Sequence, residues 1–211
     1  MRMEQRISTK QRIMNTALTL FSQKGYEAVG VEEIAKGVGI KAPSLYKHFK
    51  SKQAIFDAIM EVIEQRFETQ EKRMYEKLDD GYLIYLFEDI TEEELLERVR
   101  TVVEYVLKDE YISKFRKLLT QEQFYNKRLA KIYNERYIEV LPAYHEALFK
   151  KLIEEGVLIE EDVCIMAKQY VYPIYVLLGY VDREPETEEE VLHLIVRHVQ
   201  QFYRLYKKDT K

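Results

Sequence analysis

The sequence predicts an all-α fold of about nine helices, and three observations lead to this prediction. Apolar residues recur at helical spacing through most of the chain, capping residues precede these segments, and no run has the alternation of a strand. The apolar segment 82–87 is the one ambiguous stretch, and a single strand cannot form a sheet. We divide the chain into a three-helix N-terminal domain, residues 1–53, and a helical C-terminal domain, residues 54–211.

The N-terminal helices have local start and stop signals. A first helix begins at Ser8, whose hydroxyl can cap it, and ends at Gly25. Pro43 stands in the first turn of the third helix, where a missing N–H costs nothing, and Ser51 caps the fourth. The second, third and fourth helices are predicted at about 32–36, 42–49 and 52–78.

The C-terminal helices are assigned in the same way. Thr91 with Glu94, and Thr187 with Glu190, have the spacing of capping boxes. Pro142 predicts a kink inside a long helix. The predicted helices span about 91–108, 111–119, 126–156, 160–181 and 187–207.

Composition limits the class of protein. The 211 residues are 46% hydrophobic and 33% charged, as in an ordinary globular protein, and the single cysteine, Cys164, excludes an internal disulfide framework. Residues 1–12 lack the apolar region of a signal peptide, and the longest uncharged stretch, 169–181, is shorter than the ~20 residues that span a bilayer. We expect a cytoplasmic protein without a membrane segment.

The charge is divided unevenly between the two domains. Residues 1–53 contain ten basic and four acidic side chains, a balance of +6, whereas residues 54–211 contain 23 basic and 33 acidic ones, a balance of −10. A basic module on an acidic body is typical of a protein that binds a polyanion. A solvated basic surface with no partner is the alternative that charge alone leaves open.

The first 50 residues have the organisation of a helix-turn-helix motif, in which the second short helix enters the DNA major groove. Ala35 is small where two helices approach, and Gly39 relaxes the turn. Apolar residues are spaced to bury Leu45 and Phe49 against the first helix. The outer face then carries Lys41, Ala42, Ser44, Lys47 and His48.

This segment resembles the N-terminal domain of TetR-type transcriptional regulators over about residues 8–55. The resemblance depends on three spaced patterns: Ile13-x3-Ala17-x2-Leu20-Phe21-x3-Gly25-Tyr26, Val31-x2-Ile34-Ala35-x3-Gly39-Ile40 and Ser44-Leu45-Tyr46-x-His48-Phe49-x-Ser51-Lys52. It implies a homodimeric, ligand-responsive repressor of a palindromic double-stranded DNA operator. Each subunit would carry one DNA-binding domain and one domain for effector binding and dimerisation.

The resemblance also implies roles for single residues. The expected DNA contacts come from Lys41, Ala42, Ser44, Tyr46, Lys47, His48 and Lys52. Packing against the first helix is the alternative for Tyr46, and a surface or capping role is the alternative for His48. The chain departs from the family at Gly30 and Lys41, where a hydroxyl residue is common.

Effector binding and dimerisation are assigned to the C-terminal domain. Fifteen of the 17 tyrosines follow residue 53, and a tyrosine-rich bundle suits a cavity of mixed polarity for an unknown small molecule. The candidate ligand residues are Tyr105, Tyr133, Tyr137, His145 and Tyr172. Dimerisation is expected through the last two long helices, which carry Tyr172, Ile174, Val176, Leu177, Leu192, Ile195, Val199 and Phe202. Helix packing is the alternative for each tyrosine.

Other functional classes find little support. Residues 37–42 formally match the dinucleotide fingerprint G-x-G-x-x-A, but a helix precedes them where that motif needs a strand. His193 and His198 are five residues apart, which does not place two metal ligands on one helical face. We therefore expect no enzymatic activity, cofactor or metal. An all-α interaction module with an incidental basic end is the remaining alternative.

Overall fold

The computed structural model of the chain describes residues 7–79 and 91–208. These two ranges contain nine helices. They are α1 Thr9–Lys24, α2 Val31–Val38, α3 Ala42–Tyr46, α4 Lys52–Asp79, α5 Glu92–Lys108, α6 Glu110–Glu122, α7 127–154, α8 Val163–Arg183 and α9 Glu188–Tyr206. The only extended pairing within the described residues is an isolated antiparallel bridge between Leu158 and Lys207. The all-α prediction is confirmed, and the ambiguous segment 82–87 lies outside the described residues.

Most predicted helix caps are confirmed. Ser8 Oγ accepts the N–H of Gln11 at 3.2 Å. Thr91 and Glu94 form both hydrogen bonds of a capping box at the start of α5. The predicted cap at Thr187 is wrong, because a 3₁₀ turn, Pro185–Thr187, precedes α9 and the Thr187 hydroxyl donates to the Glu184 carbonyl at 2.7 Å.

The helix α2 is longer than predicted and includes Gly37. A Cβ at Gly37 would lie 2.7 Å from Thr16 Cγ2 on α1. Gly37 therefore allows the closest approach of α1 and α2, a role that the sequence analysis gave to Ala35.

The helix that contains Pro142 is irregular just before the proline, and the predicted kink itself stays a prediction. The helix α7 is α-helical over Lys127–Tyr133 and Leu141–Glu154, with a π-helical segment, Asn134–Val140, between them. Proline has no N–H to donate to the carbonyl four residues before it, here Ile138. The Tyr172 hydroxyl of α8 donates to that carbonyl at 3.3 Å, which satisfies the freed acceptor.

The N-terminal helices share one apolar core with part of the C-terminal domain. Phe21, Leu45 and Phe56 belong to the same buried cluster as Phe115 of α6 and Leu129 of α7. Aromatic rings reinforce it, with the Phe21 and Tyr26 centroids 5.2 Å apart. The boundary at residue 53 stays a prediction.

Deeper in the C-terminal domain, a buried ion pair joins α6 to α8. The Arg116 guanidinium donates two hydrogen bonds to the Asp182 carboxylate, at 2.6 and 2.9 Å, and a third to the Val106 carbonyl. Arg116 is 1% exposed. Removing either partner would leave a buried charge uncompensated, which costs about 3–5 kcal/mol.

The last two helices use most of their apolar residues inside the subunit. Four residues expected at a dimer seam are buried inside the subunit. Leu192 and Ile195 belong to one of its apolar clusters and Phe202 to another, and Val199 is 2% exposed. Val176 is the member of the expected set that is largely exposed. Among the described residues, no helix combines the length and apolarity needed to cross a membrane.

Candidate nucleic-acid interface and internal cavity

The turn between α2 and α3 has the geometry that a helix-turn-helix needs. Gly39 is left-handed, with φ of 78°, and its N–H closes α2 on the Lys36 carbonyl at 3.1 Å. The Ile40 N–H follows with a bond to the Ala35 carbonyl at 3.0 Å. This pair of bonds reverses the chain within three residues, as glycine at a helix C-terminus commonly does. The sequence prediction for Gly39 is confirmed.

Two buried side chains anchor the helix α3 to the core. Leu45 and Phe49 are 0% and 5% exposed, and both belong to the core that contains α1 and α4. The Lys10 ammonium lies 5.5 Å from the centre of the Phe49 ring. With these anchors inward, the opposite side of α3 and of the turn after it faces solvent.

That solvent-facing surface contains most of the predicted DNA contacts. Lys41, Tyr46, Lys47 and His48 are exposed, and Ala42 and Ser44 are half-buried beside them. Tyr46 is 52% exposed, so its ring is not buried against α1. Six of the seven residues thus occupy one continuous stretch, 41–48.

The seventh residue, Lys52, is turned toward its own domain. Its ammonium donates to the Tyr26 carbonyl at 2.8 Å and lies 4.2 Å above the Tyr26 ring. The Tyr26 hydroxyl donates to Gln53 at 2.9 Å. Lys52 therefore secures the loop after α1 to the start of α4, a structural role that the sequence analysis did not foresee.

Two charged contacts hold α2 in place. An Arg12 nitrogen donates to the Val38 carbonyl at 2.5 Å, at the negative end of the α2 dipole. Lys24, in the last turn of α1, pairs with Glu33 at 2.5 Å. These bonds orient the turn and α3 relative to α1.

Polar bonds from α6 connect the C-terminal domain to α1. The Tyr111 hydroxyl accepts from Gln11 Nε2 at 2.6 Å and donates to Asn15 Oδ1. At the other end of α6, the Tyr26 N–H donates to Glu122 at 2.8 Å. A shift of α6 would act on the N-terminal domain directly.

A cavity of about 660 Å³ lies between α4 and the α5–α6 junction. It has the size of a typical small-molecule site. Tyr111 contributes to its wall, so one side chain contacts both the cavity and α1. The lining residues are Val62, Ile63, Gln65, Arg66, Phe67, Thr69, Gln70, Arg73, Tyr105, Asp109, Tyr111, Ile112 and Phe115.

The five predicted ligand residues do not meet in one place. Tyr105, 57% exposed, borders the large cavity. Tyr133 and Tyr137 lie together with Tyr175, whose ring stacks on Tyr137 at a centroid distance of 4.2 Å. The Tyr172 hydroxyl donates to the Ile138 carbonyl, which has no N–H partner at Pro142.

His145 lies in a separate aromatic cluster. Its ring is 5.0 Å from that of Tyr170, its Nδ1 is 2.8 Å from the Leu141 carbonyl, and it borders a small cavity of about 70 Å³. Burial lowers the pKa of His145, which favours the neutral ring. Burial also raises the pKa of Tyr137 to about 12. These groups are therefore neutral at physiological pH.

Two residues of this arrangement were missed by sequence reasoning. Tyr111 was read only as the start of a short helix, and Arg66 was not considered. Arg66 stacks on Tyr111, with 4.1 Å between the guanidinium carbon and the ring centre. The spacing of Arg66 and Arg73 on a single face of α4 was the available signal.

Comparisons with known proteins agree with this geometry. Residues 13–59, from α1 into α4, match the family described as bacterial regulatory proteins, tetR family. The chain is 50% identical over 48 residues to IcaR of Staphylococcus aureus, a negative transcriptional regulator of the biofilm operon icaADBC. That match covers 23% of this chain and 26% of IcaR, so the chain matches only about a quarter of the length of this relative.

Longer matches are more distant. YttP of Bacillus subtilis, a probable HTH-type transcriptional regulator, is 23% identical over 209 residues, which cover 98% of this chain and 92% of YttP. A TetR-family regulator structure from Mesorhizobium loti superposes with a TM-score of 0.61 at 20% identity, covering 94% and 96% of the two chains. SmeT, the repressor of the Stenotrophomonas maltophilia efflux pump SmeDEF, gives 0.60 at 18% identity, covering 96% and 92%. These structures share the fold of the whole chain.

Proposed function

We propose that the chain, whose residues 13–59 match the tetR family of bacterial regulatory proteins, is a DNA-binding transcriptional regulator. It acts as a ligand-responsive repressor, a homodimer on a palindromic operator. The observation that carries this proposal is the exposed stretch 41–48, which is held outward by the buried side chains of Leu45 and Phe49.

In this proposal α3 enters the major groove and the surrounding basic residues contact phosphates. Lys47 and His48 reach base edges, Tyr46 contacts the groove wall, and Lys41 binds at the N-terminal end of α3. No hydrogen bond or ion pair occupies the side chains of these four residues within the described part of the chain. They can therefore contact DNA without first breaking an internal bond.

Lys52 has a different role in the proposal. Its ammonium already satisfies the Tyr26 carbonyl, so a phosphate contact must compete with that bond. We infer that Lys52 mainly orients the domain. Lys52→Ala is then expected to lower thermal stability as well as DNA affinity, whereas Lys47→Ala lowers affinity alone.

Dimerisation is assigned to the faces of α8 and α9 that the subunit leaves uncovered. Val176 and Tyr180 are exposed at consecutive turns of α8, and Leu194 and Leu205 are exposed on α9. A stable interface buries more than ~1,000 Å². Val176→Glu should give a monomer in light scattering at micromolar concentration, while Val102→Glu, equally exposed on α5, should leave the dimer intact.

Control by a ligand follows from the position of the large cavity. A small molecule between α4 and α6 contacts the wall that contains Tyr111, which also binds Gln11 and Asn15 of α1. Occupation of the cavity would favour a different position of α6, and α4 extends from the cavity into the DNA-binding domain. The two recognition helices would then lose the separation of about 34–36 Å that successive grooves require.

The role of α3 is tested by comparing matched lysine variants. Lys47→Ala should weaken binding to the selected operator by a factor that corresponds to about 1–3 kcal/mol and relax preference at one base position. Lys150→Ala, which removes an exposed charge from α7, should change operator affinity little. Equal losses for the two variants, or equal losses on specific and random DNA, would exclude Lys47 from base recognition.

A further inference from the structure

The large cavity contains arginines that no carboxylate neutralises. Arg66 and Arg73 line it from one face of α4, and neither forms an ion pair within residues 7–79 and 91–208. Four other arginines of the C-terminal domain hold a carboxylate at 3.2 Å or less. These pairs are Arg100–Glu104, Arg116–Asp182, Arg128–Glu64 and Arg204–Glu92.

A third arginine adds positive charge behind the same wall. Arg136, in the π-helical segment of α7, is 8% exposed and its guanidinium carbon lies 4.2 Å from the centre of the Phe67 ring. Its Nη2 donates to Gln70 Oε1 at 2.9 Å. Both Phe67 and Gln70 line the cavity. Arg136 forms no salt bridge within the described residues, although the Glu71 carboxylate acts on it electrostatically.

The single acidic residue of the lining does little to offset these charges. Asp109 Oδ1 accepts the N–H groups of Tyr111 and Ile112, at 3.0 and 2.9 Å, and so caps α6. Its charge is therefore directed at the positive end of the α6 dipole. Among the described lining residues, two arginines therefore stand against one carboxylate.

One part of the remaining lining is apolar, beside the polar side chains of Gln65, Thr69 and Gln70. Val62, Ile63 and Phe67 of α4 face Ile112 and Phe115 of α6 around the same space. The Phe67 and Phe115 rings are 5.5 Å apart. A ligand that matches this cavity needs an apolar body next to one negative group.

We propose that the cavity binds an anionic amphiphile, a small organic acid whose negative group pairs with Arg66 and Arg73 and whose apolar body lies on Phe67, Ile112 and Phe115. This inference names the chemical class of the effector and so rests on the proposed function. Charge-assisted bonds to a guanidinium provide the selectivity for an acid, and the apolar surface provides the affinity.

The test uses three probes with the same ten-carbon chain and different head groups. Calorimetry on the full chain without DNA compares decanoate, decanol and decyltrimethylammonium. We expect decanoate to bind at least tenfold more tightly than decanol, and the cation more weakly than either. Equal affinities, a preference for the cation, or no binding of decanoate would overturn the proposed class.

Matched variants separate the cavity charges from the overall charge. The Arg73 side chain has no hydrogen bond or ion pair to a described residue. Arg73→Gln should therefore weaken the binding of decanoate about tenfold and leave the binding of decanol unchanged. Arg66→Gln should do the same. Lys72→Gln removes one charge from the same helix outside the cavity lining and should have no effect. An equal loss in the Lys72 variant would contradict a specific pairing.

The two proposals fail in distinguishable ways. Salt-dependent DNA binding by a protein that does not prefer decanoate would overturn the ligand class alone. Decanoate binding that depends on Arg73 but leaves DNA affinity unchanged would support the ligand class and contradict its effector role.

Discussion

The Tyr111 hydroxyl joins the cavity wall to α1 of the N-terminal domain, and Tyr111→Phe removes only that connection. The ring stays beneath Arg66, whereas the bonds to Gln11 and Asn15 are lost. Each such bond contributes about 0.5–1.5 kcal/mol net. In the wild-type protein Gln11 Nε2 also donates to Asn15 Oδ1 at 2.8 Å. The variant can keep this bond, which limits the loss of stability. We expect a total loss of about 1–2 kcal/mol.

Urea denaturation of the variant measures this loss, and amide hydrogen exchange locates it in α1 and α6. Tyr105→Phe is the matched control, because Tyr105 borders the same cavity but is exposed, and its hydroxyl has no hydrogen bond to a described residue. The variant should also reduce the factor by which a bound cavity ligand changes DNA affinity. A stability change below about 0.5 kcal/mol, equal to that of the control, would refute the role assigned to the hydroxyl.

Three further predictions concern packing, the buried ion pair and pH. Gly37→Ala should destabilise the protein by about 1–3 kcal/mol in thermal denaturation because its Cβ meets Thr16 Cγ2 at 2.7 Å. Thr16→Ser should rescue it, and failure of that rescue would contradict the steric cause. Asp182→Asn should cost about 3–5 kcal/mol by leaving Arg116 buried without its partner. Glu188→Gln, at the exposed pair with Lys108, should cost under about 1 kcal/mol. Similar losses of stability in the Asp182 and Glu188 variants would contradict the larger contribution of the buried pair. Since burial lowers the pKa of His145, the unfolded chain binds more protons below pH 6.5, and stability should fall on acidification with a slope of at most about 1.4 kcal/mol per pH unit. His145→Asn should flatten the dependence of stability on pH, whereas His193→Gln, at an exposed histidine, should leave it unchanged. The reverse outcome would exclude His145 as the source of the pH dependence.

The N-terminal domain was predictable because its signals are local. The Ser8 cap, the left-handed Gly39 and the inward positions of Leu45 and Phe49 each follow from a few neighbouring residues. Lys52 is the exception, since its bond to the Tyr26 carbonyl joins residues that are 26 positions apart. Sequence spacing alone gives no sign of such a contact.

The C-terminal domain was predictable as helices but not as a site. Tyrosine enrichment suggested one cavity, whereas Tyr137 and His145 lie in separate aromatic clusters. The link from Tyr111 to Gln11 spans 100 residues and depends on how α6 packs on α1. Thr187 has the residues of a capping box, but the proline two positions earlier starts a 3₁₀ turn that uses its hydroxyl.

The central claim, that stretch 41–48 of a dimer reads operator DNA, is tested most directly by selecting fragments from random DNA and titrating the best one with salt. The account predicts two-fold related half-sites whose centres are one helical turn apart, about 10–10.5 base pairs, or a multiple of it. With six to ten phosphate contacts, affinity should fall by about 10³–10⁵ between 50 and 200 mM salt. Fragments without a shared symmetric motif, bound with a salt dependence near zero, would contradict the account.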